Sequence, residues 1–290
     1  MFKYLISKKS KILPLIFVCY FFNSTVSSQT NSADHQVWHL LQKGLSYCEI
    51  DAPVKSILND SRIFILKTDP LYFNFGLYTA SEHYRENRPA DLWAKDFHLN
   101  VVVNAGMFNM GNHTTGKGYL KNYSHFNNPR LNKKYNVMIA MNPKLLTDTA
   151  IVISDMTCRD WNLLRSRYNS LCQGMRMIDG GGTPLIWDKR PGQSCSMVVG
   201  ATDKNGNVFF AFTRSPYTHQ QIINFLLGLI PGLRTTVYLE GGPEASLYIQ
   251  TADTIIAKFG SYVSKTYPND NNDHFWKIPN VIGIRPKKVN

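Results

Sequence analysis

The sequence predicts an α+β domain: a mixed or antiparallel twisted β-sheet core with a few flanking helices. Three observations predict it. The apolar segments are short and rich in β-branched and aromatic residues. Few segments carry helical signals. Strands and helices do not alternate in the regular βαβ order that builds a parallel sheet.

Taken in order, Ile63–Leu66 and Tyr72–Phe75 read as two strands paired around the Asp69-Pro70 turn. Pro89 to Phe97 reads as a short helix, with proline suited to its first turn. Leu99 to Val103 is a buried strand that stops at Asn104-Ala105-Gly106-Met107-Phe108. A polar stretch from Asn109 to Tyr135 follows, rich in Asn, Gly, His and Lys, and reads as a long functional loop. Val137–Ala140 and Ile151–Ser154 resume the strand pattern, Asp160–Tyr168 reads as helical, and Met175–Ile178 is a strand closed by Asp179-Gly180-Gly181-Gly182.

Met197–Val199 and Val208–Phe212 form a hairpin across Asn205-Gly206, the strongest turn signal in the chain. Thr218-x-x-Gln221 is a capping box that opens the best helix, and Pro231-Gly232 ends it. Thr235–Leu239 is a buried strand leading into Glu240, and Val281–Ile284 reads as a final, edge strand.

The first 28 residues read as a signal peptide. Lys3, Lys8, Lys9 and Lys11 form a basic start, Ile12–Phe22 an apolar run, and Val26-Ser27-Ser28 a small-residue cleavage site. The run is shorter than the roughly 20 residues of a spanning helix, so no stable membrane anchor is expected. The predicted organisation is therefore signal peptide 1–28, leader segment 29–62 and one domain over 63–290, exported to the periplasm or secreted. Of the formal charge of +12, about +8 stays on the exported part, which suits an anionic substrate. The basic residues are scattered and no nucleic-acid motif accompanies them, so nucleic acid is not an expected partner. Cys48, Cys158, Cys172 and Cys195 remain after cleavage, and two disulfides or four free thiols are equally compatible with that count.

Three loops share one design, a buried strand that ends in polar residues and glycine: Asn104-Ala105-Gly106, Asp179-Gly180-Gly181-Gly182 and Glu240-Gly241-Gly242-Pro243-Glu244. A strand fixes the side chain at its end, and glycine lets backbone N–H groups approach a ligand. Glu240 and Glu244, four residues apart, supply an acid and a base if one is held protonated. As oxygen donors they also suit Ca²⁺ or Mg²⁺. Arg214 and Ser215 precede the capped helix, where a guanidinium fork and a helix N-terminus together suit a phosphodiester or carboxylate. Arg176 interrupts an apolar strand and needs a partner, for which Asp179 is the near candidate. His113 and His125 lie in the polar stretch as candidate ligands or proton shuttles. No G-x-S-x-G elbow, HExxH or P-loop is present.

Val103 to Phe108, Gly200 to Asn207, Thr213-Arg214-Ser215 and Tyr238 to Pro243, in that order and spacing, resemble the phosphodiester glycosidase domain. The resemblance runs from about Ile63 to Ile284, and Tyr119–Asn122 and Asn128–Asn132 are similar to its bacterial branch. It implies hydrolysis of a sugar-1-phosphodiester. By that resemblance Asn104 matches the asparagine at the first strand end, Gly241 and Gly242 the paired glycines, and Glu240 the position usually held by Asp. The Glu arm is longer by about 1.5 Å. Where many members carry an arginine, this chain has Ser194 and Cys195, so Arg214 or Arg176 replaces that anion contact or the substrate differs. Taken together, the strand-end loops and the resemblance give an expected catalytic set of Glu240, Glu244, Asn104 and Asp179. Arg214, Ser215, Arg176, Gly241, Gly242 and His113 would hold the substrate. Two other readings stay open: a non-catalytic envelope protein that binds anionic glycans, and a phosphodiesterase that cleaves P–O.

Overall fold

The computed structural model describes residues 36–58, 60–186, 193–264 and 269–288. The signal-peptide expectation for 1–28 lies outside the described residues. The strands, in chain order, begin with β1 (His39–Gln42), β2 (Leu45–Asp51), β3 (Arg62–Thr68) and β4 (Phe73–Thr79), followed by helix α1 (Ala90–Phe97). Then come β5 (Val101–Asn104), β6 (Phe108–Asn109), β7 (Asn112–Gly116), β8 (Leu120–Asn122), β9 (His125–Asn128), β10 (Val137–Pro143) and β11 (Ile151–Asp155). After α2 (Trp161–Arg167) run β12 (Tyr168–Ile178), β13 (Cys195–Asp203), β14 (Val208–Tyr217), α3 (His219–Leu229) and β15 (Leu233–Gly241). A 3-10 turn, Gly242–Glu244, leads to β16 (Ser246–Gln250), β17 (Ile255–Phe259) and β18 (Asn280–Pro286).

Every ladder among these strands is antiparallel, and the architecture is α+β as predicted. The large sheet runs β1-β2-β3-β14-β13-β15-β12-β10-β11, with β8 also on β12 and β9 on β8. A five-stranded sheet runs β17-β16-β5-β18-β4, and β6-β7 make a separate ribbon. The two larger sheets face each other across one apolar core. Phe64, Val198, Val237 and Leu239 come from the large sheet, and Phe75, Val103, Leu247 and Ile282 from the small one. Burying both inner faces is what holds the two sheets together.

The helices close the outer faces. Ile222, Ile223, Leu226 and Leu229 of α3 cover the far side of the large sheet against Met197, Val199 and Tyr238. Both hydrogen bonds of its capping box are present, Gln221 N–H to Thr218 Oγ1 and Thr218 N–H to Gln221 Oε1. Trp93 of α1 fills the far side of the small sheet with Val102, Tyr248 and Val281, and its indole N–H donates to the Ile278 carbonyl. No helix among the described residues is long and apolar enough to cross a membrane.

Three expectations are corrected. β3 and β4 are strands but not partners: β3 lies between β2 and β14, and β4 pairs with β18 in the other sheet. The chain between them therefore crosses from one sheet to the other instead of closing a hairpin. The stretch 109–135 is not one loop but carries β7, β8 and β9, short strands whose polar residues give no apolar alternation. β18 is interior, between β5 and β4. Of the two readings of the cysteines, free thiols hold among the described residues, since Cys48, Cys158, Cys172 and Cys195 form no disulfide. From His39 onward the segment expected as a leader contributes β1 and β2 to the large sheet.

Candidate active site

β15 delivers Glu240 through a bulge. Tyr238 pairs with Val199 and Glu240 with Val198, so one extra residue sits on β15 at Leu239. Val199 belongs to the core under α3 and Val198 to the core between the sheets. The bulge thereby puts Glu240 on the same side as Val198, the inter-sheet side, while Tyr238, two residues earlier, stays under α3. Re-aiming a side chain at the end of a strand is a common use of such bulges.

Glu240 is buried, with 9% of its surface exposed. Burial pushes its carboxyl up to about 8, and the neighbouring Glu244 adds to the rise. The Gly241 N–H donated to Oε1 and the positive charge of Lys117 act the other way and lose. Desolvation wins because a carboxylate in a nearly dry site loses more hydration than one amide and one ammonium return. At neutral pH Glu240 therefore carries a proton. Glu244 is half-buried, and burial raises its carboxyl as well.

The turn that carries Glu244 is held from two strands. Asn104, at the end of β5 and 2% exposed, donates Nδ2–H to the Glu244 carbonyl (3.0 Å) and accepts from the Ser246 N–H (2.7 Å). Gly241 admits no side chain, because a Cβ there would lie 2.1 Å from the Tyr238 hydroxyl and 2.9 Å from Cys195 Sγ. Cys195 Sγ lies beside Tyr238 and Gly242, and burial pushes that thiol up to about 11. Behind the turn, the Gly260 N–H donates to the Ala245 carbonyl (2.8 Å).

Asn104, Glu240, Gly241, Gly242 and Glu244 thus form one constellation, and the other predicted residues stand apart from it. Arg214 points elsewhere: its guanidinium donates to Asp270 Oδ2 (2.6 Å) and to the carbonyls of Phe259, Gly260 and Asn272. It also lies over the Phe259 ring and lines a cavity of about 370 Å³ with Glu49, Asp60, Arg62 and Lys258. Ser215 is fully buried and donates to Asp60. Arg176 pairs with Asp155 (2.6 Å), not with Asp179, and also donates to Thr157 Oγ1. Asp155 is 1% exposed; burial pushes its carboxyl up, but bonds from Thr157, Arg176 and the Gly180 N–H outweigh it and hold the carboxyl below its ordinary value. Asp179 closes its own loop by accepting from the N–H groups of Gly181 and Thr183, each at 2.8 Å. His113 is exposed on β7, and His125 Nε2 bonds Ser81 Oγ (2.8 Å).

Two residues that sequence reasoning missed matter here, Lys117 and Gln173. Lys117 is the cation that acts on Glu240. Its only sequence signal was a lysine between two glycines inside a polar stretch. Among the described residues no group of three or more His, Cys, Asp or Glu side chains is gathered.

The family model described as phosphodiester glycosidase matches residues 97–285, more than half of the chain. No curated protein matches it in sequence. Among solved structures, the chain is similar to the zebrafish N-acetylglucosamine-1-phosphodiester alpha-N-acetylglucosaminidase catalytic domain auto-inhibited by its pro-peptide. That similarity has a TM-score of 0.57 and 15% identity and covers 86% of each chain. A hypothetical protein from Synechocystis matches with a TM-score of 0.55 and 11% identity, over 86% of this chain and 63% of that one. At these identities the two likenesses speak for the fold alone. The family match spans α1's last residue through β18, so it contains every residue of the Glu240 constellation, and the chain belongs to the phosphodiester glycosidase family.

Proposed function

We propose that the chain is an exported hydrolase that cleaves the bond between a sugar and the phosphate of a glycosyl phosphodiester. The observation that carries this reading is the pair of carboxyls on one braced turn, of which Glu240 holds its proton at neutral pH. Cleavage of a glycosidic bond needs one carboxyl to donate to the leaving oxygen and one to assist attack.

In this mechanism Glu240 gives its proton to the phosphate oxygen as the sugar C1–O bond breaks. A water attacks C1 and passes a proton to Glu244, leaving a free sugar and a phosphomonoester. Asn104 works through the turn: its amide is bonded to the backbone of Glu244 and Ser246, so it fixes where the second carboxyl sits. The half-buried Glu244 is the group with room to reach a water.

The test is incubation with a UDP-sugar or another glycosyl-1-phosphodiester and assay of released sugar, in wild type and Glu240→Gln. Release that is unchanged in the variant sinks the assignment of the acid. Hydrolysis in ¹⁸O-water separates C–O from P–O cleavage, since the label enters the sugar in the first case and the phosphate in the second. Export through residues 1–28 is tested by fractionating cells that express the full chain and one lacking those residues.

A further inference from the structure

We propose that Lys117 is the anion anchor of the Glu240 site, the group that holds the negatively charged phosphodiester against the two glutamates. The identity of the anion rests on the hydrolase reading; the existence of an anion site at Lys117 does not.

The placement of Lys117 follows from how its loop is pinned. Its N–H donates to the Met107 carbonyl (2.8 Å), three residues past Asn104, and its carbonyl accepts from Asn132 Nδ2. The hub of the loop is Gln173 on β12, which is 3% exposed. Its Oε1 accepts from the N–H groups of Tyr119 (3.0 Å) and Asn132 (2.9 Å), and its Nε2 donates to the carbonyls of Asn132 (3.0 Å) and Tyr135 (2.6 Å). Gly118 sits so close that a Cβ would lie 2.8 Å from the Gln173 carbonyl. The next residue on β12, Gly174, packs against the Tyr238 carbonyl, two residues from Glu240. The lysine therefore stands on a tightly bonded frame attached to the strand beside Glu240, with an exposed side chain.

Charge supplies the second half of the argument. No carboxylate among the described residues lies within ion-pair distance of the Lys117 ammonium. Arg214 and Arg176, by contrast, are each bonded to a carboxylate, Asp270 and Asp155. With Glu240 protonated, the positive charge of Lys117 is not cancelled from that side. A cation beside a neutral proton donor suits a phosphodiester, whose single negative charge needs one compensating ion and whose bridging oxygen needs one proton.

The experiment is calorimetric titration of the full chain with inorganic phosphate at pH 6.5, independent of any turnover. Lys117→Ala is expected to weaken binding at least about tenfold with no change in Tm, and Lys117→Arg to stay within about threefold of wild type. Lys133→Ala, an exposed lysine on the same loop, is expected to bind as wild type does. Equal binding by Lys117→Ala and wild type overturns the proposal. So does equal weakening by Lys133→Ala, or no phosphate binding by wild type. Phosphate binding that depends on Lys117 in a protein that releases no sugar keeps the anion site and removes the hydrolase reading instead.

Discussion

Asn104 holds the backbone around Glu244 with both ends of one amide, donating to the Glu244 carbonyl and accepting from the Ser246 N–H. The bonds tie the end of β5 in the small sheet to the turn that leaves β15 of the large one. The asparagine is a structural brace whose product is the position of a carboxyl.

Asn104→Ala removes both bonds and leaves the buried Ser246 N–H unpaired, while the Glu244 carbonyl keeps the Ser246 hydroxyl. The expected cost is about 1–3 kcal/mol, the range for one unsatisfied buried group. Asn104→Asp keeps the acceptor for Ser246 and loses the donor, so it should also destabilise, through a carboxyl facing the Glu244 carbonyl. Chemical denaturation of the two variants checks the cost, and a loss below about 0.5 kcal/mol in both excludes the brace.

The protonation of Glu240 makes stability and activity depend on pH in a stated direction. Its carboxyl ionises near 8 in the folded chain and near the ordinary 4.5 when unfolded. Between those values the folded state binds more protons, so stability from this group is full below 4.5 and is lost as pH rises through 8. Glu240→Gln removes the charge that must be buried at high pH. Relative to wild type it should gain on the order of 10 °C of Tm at pH 8.5 over its value at pH 5, from about 4 kcal/mol at roughly 2–4 °C per kcal/mol. A Tm difference that is the same at both pH values contradicts the buried acid.

Activity follows the same proton. kcat/KM should fall on the alkaline side with a midpoint near 8, where Glu240 loses the proton it donates. On the acid side the limb should lie above the ordinary carboxylate range, because burial raises Glu244 too. Glu240→Gln should lower kcat by about 10²–10⁴-fold and abolish the alkaline limb. A pH–rate profile of the variant that keeps that limb assigns the proton to another group.

The constellation was legible because each member ends a buried strand in a glycine-rich segment, a pattern visible in Asn104-Ala105-Gly106 and Glu240-Gly241-Gly242. The hairpin at Asn205-Gly206 and the cap at Thr218 were legible for the same reason: both are local. What pairs with what was not. Ile63–Leu66 identifies a strand but carries no sign that β14, some 140 residues on, is its neighbour. The partner of Arg176 was sought three residues away and lies at Asp155, brought over by the bend after β11. Lys117 and Gln173 had no pattern at all, since a frame made of side-chain amides leaves no periodicity. The direction of Glu240 depends on a bulge that only the register reveals.

Arg214 is expected to serve the fold. Its guanidinium joins β14 to the segment after β17 through Asp270 and three carbonyls. Arg214→Ala removes the cation facing Asp270 and the guanidinium donors to the three carbonyls, of which Gly260 keeps a bond from Asn272 Nδ2, and should cost about 2–4 kcal/mol. Phosphate affinity of the folded fraction should stay within about twofold of wild type, the opposite of Lys117→Ala. A variant that keeps its Tm and loses phosphate returns the anion contact to Arg214.

The four thiols give a test of burial at the site. Cys48 and Cys172 are inside the core, and half-buried Cys195 lies beside Tyr238 near Glu240. Burial pushes these thiols up to about 11, about 12 and about 11 respectively. The thiolate is the form that reacts, so at pH 7.5 Cys48 and Cys172 are slow on both counts, access and ionisation, and half-buried Cys195 on ionisation. Cys158, on the turn after β11, is exposed. Iodoacetamide at pH 7.5 should therefore label Cys158 first in the native chain, with the other three labelled only after denaturation. Peptide mass spectrometry reads the order. Labelling of Cys195 at the rate of Cys158 means that the turn at Gly241 and Gly242 opens in solution, and the close packing of Tyr238 and Cys195 around it is then not what holds Glu240 in place.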